Sequence, residues 1–278
     1  MTRYRHLFGL LLVAPALALL GALFLYPFGL SIVSALTDGD GRPTVANLER
    51  AFGLYSGDLL FTVVIVTLST ALTGLAAVAV AGTLTLSRTP WLVRGLALVY
   101  RWPLFIPFIV AAQCMRTFLA KNGLMNNALI ELGLLTPLTT TSFLDWRGIV
   151  ITFVWKQTPF VALLLAGAMA SLDRGTIEAG RNLGAGQIRV LLELVLPQVA
   201  PVLLVGLVLT FVSVLSVLSV PMMVAGSQPT MLTVDMAFRI NSYGDYRTAN
   251  ALGLMSYGIT AVAAWIYLRG QMRQAADA

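Results

Sequence analysis

The sequence predicts an all-α membrane protein with six membrane-crossing helices and one charged helix–turn–helix set between the fourth and the fifth. Three observations predict it. The 278 residues are 58% hydrophobic and only 11% charged, where a soluble domain carries about 25% charge. Six stretches reach the roughly 20 apolar residues that a helix needs to cross the hydrocarbon. Most of the charges fall between those stretches, and four of them sit in the short segment EAGRNLGAGQIRVLLELVLP, Glu178–Pro197.

The expected spans are Leu7–Leu30, Leu59–Leu86, Gly95–Phe118, Gly148–Ala170, Val199–Val224 and Ala249–Leu268. The first follows MTRYRH. It is too long for the apolar core of a cleavable leader, which runs about 7–15 residues, so it reads as an uncleaved helix. The third is the least clean, because Arg101 interrupts it. Between the third and fourth lies NGLMNNALIELG, where Leu124, Ala128, Leu129 and Leu132 recur at helical spacing and predict a short surface helix. The polar, turn-rich segment from Ala225 to Asn250 either stays at the surface or dips back into the protein. The whole chain, 1–278, reads as one transmembrane domain with its spans within 7–270.

Charge sets the expected orientation. With both termini in the cytoplasm, the inner segments hold nine basic residues, among them Arg3, Arg5, Arg269 and Arg273, against four acids. The outer loops hold seven basic residues against eight acids. The net charge of +6 is thus spread over loops and gathers on no face, which argues against nucleic acid as a partner. Membrane lipid is the surrounding partner.

This topology places residues 171–197 in the cytoplasm, in a connection far longer than the usual 2–8 residues or so. Thr176 is expected to cap a first helix, with Glu178 in its first turn, where the helix dipole favours an anion. Ala179 and Gly180 give that helix a small-residue face. Gly184 is expected to end it in the left-handed conformation. A second helix is expected over Gln187–Val195, and Pro197 opens the fifth span, since a first-turn proline is tolerated. Two short helices fastened at both ends make a knob suited to passing force between a soluble partner and the spans.

Residues 178–197 resemble the "EAA" signature of permease subunits in binding-protein-dependent ABC importers. Glu178-Ala179-Gly180 is followed by three residues, Gly184, nine residues and Leu194-Val195-Leu196-Pro197. Two positions depart from the motif, Gly180 for Ala and Leu194 for Ile. WKQTPF at Trp155–Phe160, LGA at Leu183–Ala185 and NGLMNN at Asn122–Asn127 are also similar to this group. The resemblance implies a type I importer permease. Its loop would dock on a separate ATPase dimer that binds the ATP and Mg, through Glu178, Ala179, Gly180, Arg181, Gly184 and Ala185, with Leu196 and Pro197 orienting the exit. It also implies a second permease, more readily a different chain than a copy, an extracytoplasmic substrate-binding protein, and a place in the bacterial inner membrane. By likeness the polyamine, phosphonate and iron types come first and the sugar importers second.

The chain itself offers no chemistry to a rival reading. Its two lysines, Lys121 and Lys156, follow no glycine, so a GxxxxGK[ST] phosphate loop is absent and ATP must be handled elsewhere. One histidine, His6, and one cysteine, Cys114, cannot assemble a catalytic relay or a Cys-based zinc site, so no enzyme and no cofactor of its own are expected. An ion-coupled secondary transporter would use carboxylates at membrane depth, and none is expected there. The charges expected well inside spans are Arg101 and Lys156, which either snorkel and pair or give the path a positive lining. Ser213 and Ser216, one helical turn apart in the fifth span, either line the path or let helices pack closely.

Overall fold

A computed structural model describes residues 13–225 and 229–276, with side chains up to 269. Arg3, Arg5, His6 and the start of the first expected span lie outside the described residues, as do Asp277 and the side chain of Arg273. Among the described residues the regular structure is helical, apart from one isolated bridge between Thr37 and Pro43. Five helices are long and apolar enough to cross a membrane: α1 (Val13–Ala35), α2 (Ala46–Leu86), α6 (Trp146–Ala170), α8 (Gln187–Ser216) and α11 (Tyr246–Ala276, apolar to Arg269). The sixth crossing is a bent pair. In it α3 (Pro90–Val99) and a 3₁₀ turn (Trp102–Phe105) meet α4 (Phe108–Leu119) and α5 (Leu124–Glu131) at 113°.

Four expectations are corrected. The second helix starts at Ala46 and bends at Tyr55, whose φ of −125° leaves the helical region. Asp58, expected in an outer loop, is therefore in a helix, and it is buried. The third span is broken at Ile106–Pro107, because the residue before a proline is pushed out of the helical region and Ile106 has ψ 121°. The fifth helix begins at Gln187 and stops at Ser216, with α9 (Ser219–Val224) a separate piece. Val217 is extended there, and Thr233 donates to its freed carbonyl at 3.1 Å. Finally, α5 forms where expected but shows its apolar stripe to the outside: Leu124 and Leu132 are exposed, and the buried side chain is Asn126. The Asn126 amide donates to the carbonyls of Ala120, Lys121 and Thr141.

The described residues group into two compact units, 13–56 with 235–258, and 57–225 and 229–234 with 259–276. In the first, Asn250 is tied to Ser31 and Ser34, and Tyr257 packs on Phe28. Arg239 of α10 (Leu232–Tyr243) lies over the rings of Tyr55 and Tyr243, donates to the Tyr55 hydroxyl at 2.6 Å and pairs with Asp245. Burial pushes the Asp245 carboxyl upward, but hydrogen bonds from Thr248 and the nearby Arg50 and Arg239 hold it below its ordinary range.

The second unit has two buried apolar clusters. One gathers Ile65, Val66, Ile149, Phe153, Val214 and Val220. The other gathers Ala77, Ala81, Val161, Leu165, Val190 and Val195 at the end where residues 171–197 connect the helices. Small residues bring the helices close: a side chain at Gly82 would meet Leu191 at 2.7 Å, and one at Gly74 would meet Leu207 at 3.0 Å.

Candidate coupling site and pathway residues

Residues 171–197 form two helices separated by a turn at Gly184. The first is α7 (Arg174–Asn182). Its cap is Asp173, which accepts from the Gly175 N–H at 3.0 Å, and not Thr176. Arg174 and Gly175 are already helical, so Thr176 lies inside the helix and Glu178 falls outside the first turn. Gly184 does end the helix, with φ +85°. Its N–H donates to the Arg181 carbonyl and that of Ala185 to the Gly180 carbonyl, the paired bonds that close a helix on a left-handed residue.

Gly180 faces the following helix. A β-carbon there would lie 2.6 Å from Leu194 Cδ1, so the two motif positions that depart from the family pattern touch one another. Leu194 fills the space that the missing side chain leaves, which offsets the roughly 0.5–1 kcal/mol that a helical glycine costs. Arg181 also turns inward. It donates to the carbonyl of Leu86 at 2.8 Å, the last residue of α2, and a cation is favoured at a helix C-terminus. A cavity of about 340 Å³ remains behind α7, lined by Thr85, Leu86, Met169, Ile177, Glu178 and Arg181.

The second half of the loop is continuous with the fifth span. Gln187–Arg189 opens α8, Val190–Val195 is a π turn, and the helix runs on through Leu196, Pro197 and Pro201. The Leu196 N–H donates five residues back, to the Leu191 carbonyl. Glu178 and Ala179 are exposed, as are Leu183 at 90% and Ile188 at 74%. Those two exposed apolar side chains are candidates that spacing alone did not single out. Their signal in the sequence is apolar character on more than one side of a loop that should be solvated.

The path candidates separate. Lys156 is buried on α6, 3.4 Å from the Leu104 carbonyl and 5.1 Å from the centre of the Phe108 ring. Arg101 is exposed and tied to its neighbour, the Tyr100 hydroxyl, at 2.9 Å. Both flank the same 3₁₀ turn. Ser213 and Ser216 are exposed near the end of α8, and the Ser216 hydroxyl donates to the carbonyls of Val212 and Ser213. No group of three His, Cys, Asp or Glu side chains among the described residues is placed to hold a metal.

The family described as "Binding-protein-dependent transport system inner membrane component" matches residues 74–270. The chain belongs to that family. It is 26% identical to the sulfoquinovosyl glycerol transport system permease protein SmoG of Agrobacterium fabrum, over 95% of this chain and 90% of that protein. It is 28% identical to the trehalose/maltose transport system permease protein MalF of Thermococcus litoralis, where the match spans 62% of this chain and 60% of the relative. The spermidine/putrescine permease PotB of Haemophilus influenzae is 24% identical over 60% of this chain and 58% of its own. Among solved structures, a bacterial ABC transporter involved in the import of the acidic polysaccharide alginate covers 98% of this chain and 96% of its own, with TM-score 0.79 and 18% identity. The methionine transporter MetNI gives TM-score 0.61 at 16% identity, over 80% of this chain and 96% of its own. The fold is that of a type I ABC importer permease.

Proposed function

We propose that this permease subunit forms half of the path of an ATP-driven importer for a sugar or glycoside. The polyamine, phosphonate and iron types that the sequence puts first give way to the sugar alternative, because the sulfoquinovosyl glycerol and trehalose/maltose permeases are more similar than the polyamine ones. The ATPase dimer, carrying ATP and Mg, docks from the cytoplasm on α7 and the turn after it. Both termini share that side of the bacterial inner membrane. A second, different permease completes the path, and a binding protein delivers the solute from outside.

The observation that carries the coupling reading is a knob whose tip exposes Glu178, Leu183 and Ile188 while its base is fixed to α2 through Arg181 and Leu86. Exposed apolar side chains on a long, helical connection suit a protein partner. Ala179, Gly180, Gly184 and Ala185 shape that knob, and Leu196 and Pro197 set its exit. Co-purification with the ATPase tests it. Wild type should hold the ATPase, and Glu178→Lys and Gly184→Trp should insert normally and lose it; equal retention by all three rejects the docking site. ATP-dependent uptake by the assembled transporter in vesicles, with trehalose, maltose and a glycerol glycoside against spermidine, tests the substrate class. Uptake of spermidine alone rejects the sugar reading.

A further inference from the structure

The third crossing breaks at Ile106–Pro107, in a segment apolar enough to lie in the membrane. A break there strands backbone groups where no water can satisfy them. Leu104 is such a case. Three residues on stands Pro107, which has no N–H, and the extended backbone at Ile106 (ψ 121°) and Pro107 (ψ 149°) carries the Phe108 N–H away. The preceding carbonyl, Pro103, is served by Ile106 at 3.3 Å. The Leu104 carbonyl is served by a side chain 52 residues away, the Lys156 ammonium at 3.4 Å.

That ammonium makes a second contact, 5.1 Å from the centre of the Phe108 ring. Leu104 is before the break and Phe108 after it. A carbonyl at the end of a helical segment and the face of an aromatic ring are both places that attract a cation. Phe108 is held in turn by an edge contact with Phe153, one turn from Lys156 on α6. From this geometry we infer that Lys156 staples both arms of the broken third span to the fourth, and is a positioning residue for transport and not a contact for the solute. Its burial at 7% exposure fits a group committed to the protein. The inference rests on the importer reading only for its transport readout; the structural readout stands without it.

The test is hydrogen–deuterium exchange on the assembled transporter in lipid nanodiscs, paired with ATP-dependent uptake in vesicles. Lys156→Met keeps the length and removes the charge and the donors. Amide exchange in residues 101–112 should quicken on the order of tenfold, the effect of leaving one buried acceptor unmade, with residues 196–216 unchanged and uptake lost. Lys156→Arg, which keeps a cation and donors, should retain both protection and uptake. Loss of uptake with exchange unchanged would make Lys156 a solute contact and overturn the staple, and so would wild-type exchange with wild-type uptake. Should Lys156→Met fail to assemble, Phe108→Leu removes only the ring contact and should give a smaller rise confined to the same segment; no rise overturns the two-armed staple. A wild-type transporter that takes up no sugar fails the substrate reading and leaves the exchange result standing.

Discussion

Two membrane helices of this chain meet proline in opposite ways. In the third span, a 3₁₀ turn over Trp102–Phe105 runs into Pro107, Ile106 becomes extended, and the helix turns through 113°. In the fifth, a π turn over Val190–Val195 runs into Pro197, and Leu196 stays helical with φ −58° and ψ −42°. The first helix repeats the second solution: a π turn over Gly21–Leu25, with Tyr26 donating to Gly21 five residues back, immediately before Pro27. A proline ring clashes with the carbonyl four residues before it. Widening the turn ahead of the proline moves that carbonyl aside, whereas tightening it leaves nowhere for the chain to go but out. Pro159 and Pro201 sit within α turns, so proline alone does not decide. The winding ahead of it goes with the outcome, and the outcomes differ in use: the bulged helix joins the coupling loop to its span in one piece, and the broken one has two arms that a side chain must hold.

The largest effect should come from erasing that difference. Pro107→Ala restores an N–H for the Pro103 carbonyl and frees Ile106, favouring a straight helix by about 3 kcal/mol. A spin label at the native Cys114, which is exposed, and another at Leu92→Cys should move apart as the bend opens, and uptake should fall to background. An unchanged separation would mean that the Lys156 contacts, and not Pro107, make the break.

Next is the seam between the coupling helix and the bulged one. Gly180→Leu overpacks the contact with Leu194 and should cost about 1–3 kcal/mol, read as loss of the ATPase on purification. Gly180→Ala asks only that the end of the Leu194 side chain swing aside, and Leu194→Ala beside it should restore wild-type retention. If Gly180→Leu keeps the ATPase, the seam is not what fixes the knob.

Most of this frame is legible in the sequence, because apolar runs of span length and a fixed glycine spacing are local signals. The expected fourth span, Gly148–Ala170, differs from the helix by two residues at its start, and Gly184 adopts the left-handed turn expected of it. What the sequence hid depends on partners far along the chain. Thr176 resembles a cap as much as Asp173 does; Asp173 caps because Arg174 and Gly175 join the helix. Lys156 reads either as a snorkelling or paired charge or as a lining of the path until Leu104 is seen to need a donor. The apolar stripe of α5 predicts which residues share a face, but not that Asn126, with three carbonyls to satisfy, would claim the buried one.

Arg181 sharpens the comparison at the next level down, since it ties the knob to a neighbouring helix by one bond. Arg181→Met should cost about 1 kcal/mol, the net worth of one hydrogen bond, because water can reach part of this side chain. The expected readout is a transporter that still binds ATPase but imports less solute per ATP hydrolysed. Full uncoupling would give the anchor more weight than the seam at Gly180; an unchanged ratio would show that the Leu86 bond transmits nothing.

The smallest effect lies at the far end of the helix that carries Lys156. Asp145 caps α6, accepting from the Arg147 N–H at 2.8 Å and pairing with its guanidinium at 2.7 Å. The hydrogen bond from Arg147 holds the Asp145 carboxyl below its ordinary value of 3.8, although burial works against it. A carboxyl held low in the folded state contributes stability that is present above its unfolded value and lost as the pH falls through the folded one. Asp145→Ala should therefore lower the melting temperature at neutral pH by the worth of one cap, about 1 kcal/mol, and the gap from wild type should narrow below about pH 4. Asp145→Asn keeps a capping oxygen and loses only the charge, so it should fall between the two at neutral pH. If Asp145→Ala also quickens exchange in residues 101–112, the footing of α6 and the staple across the break are one mechanical unit. If exchange there is unmoved, the buried contacts around Phe153 are enough to hold Lys156 in place, and the break is insulated from the end of its own supporting helix.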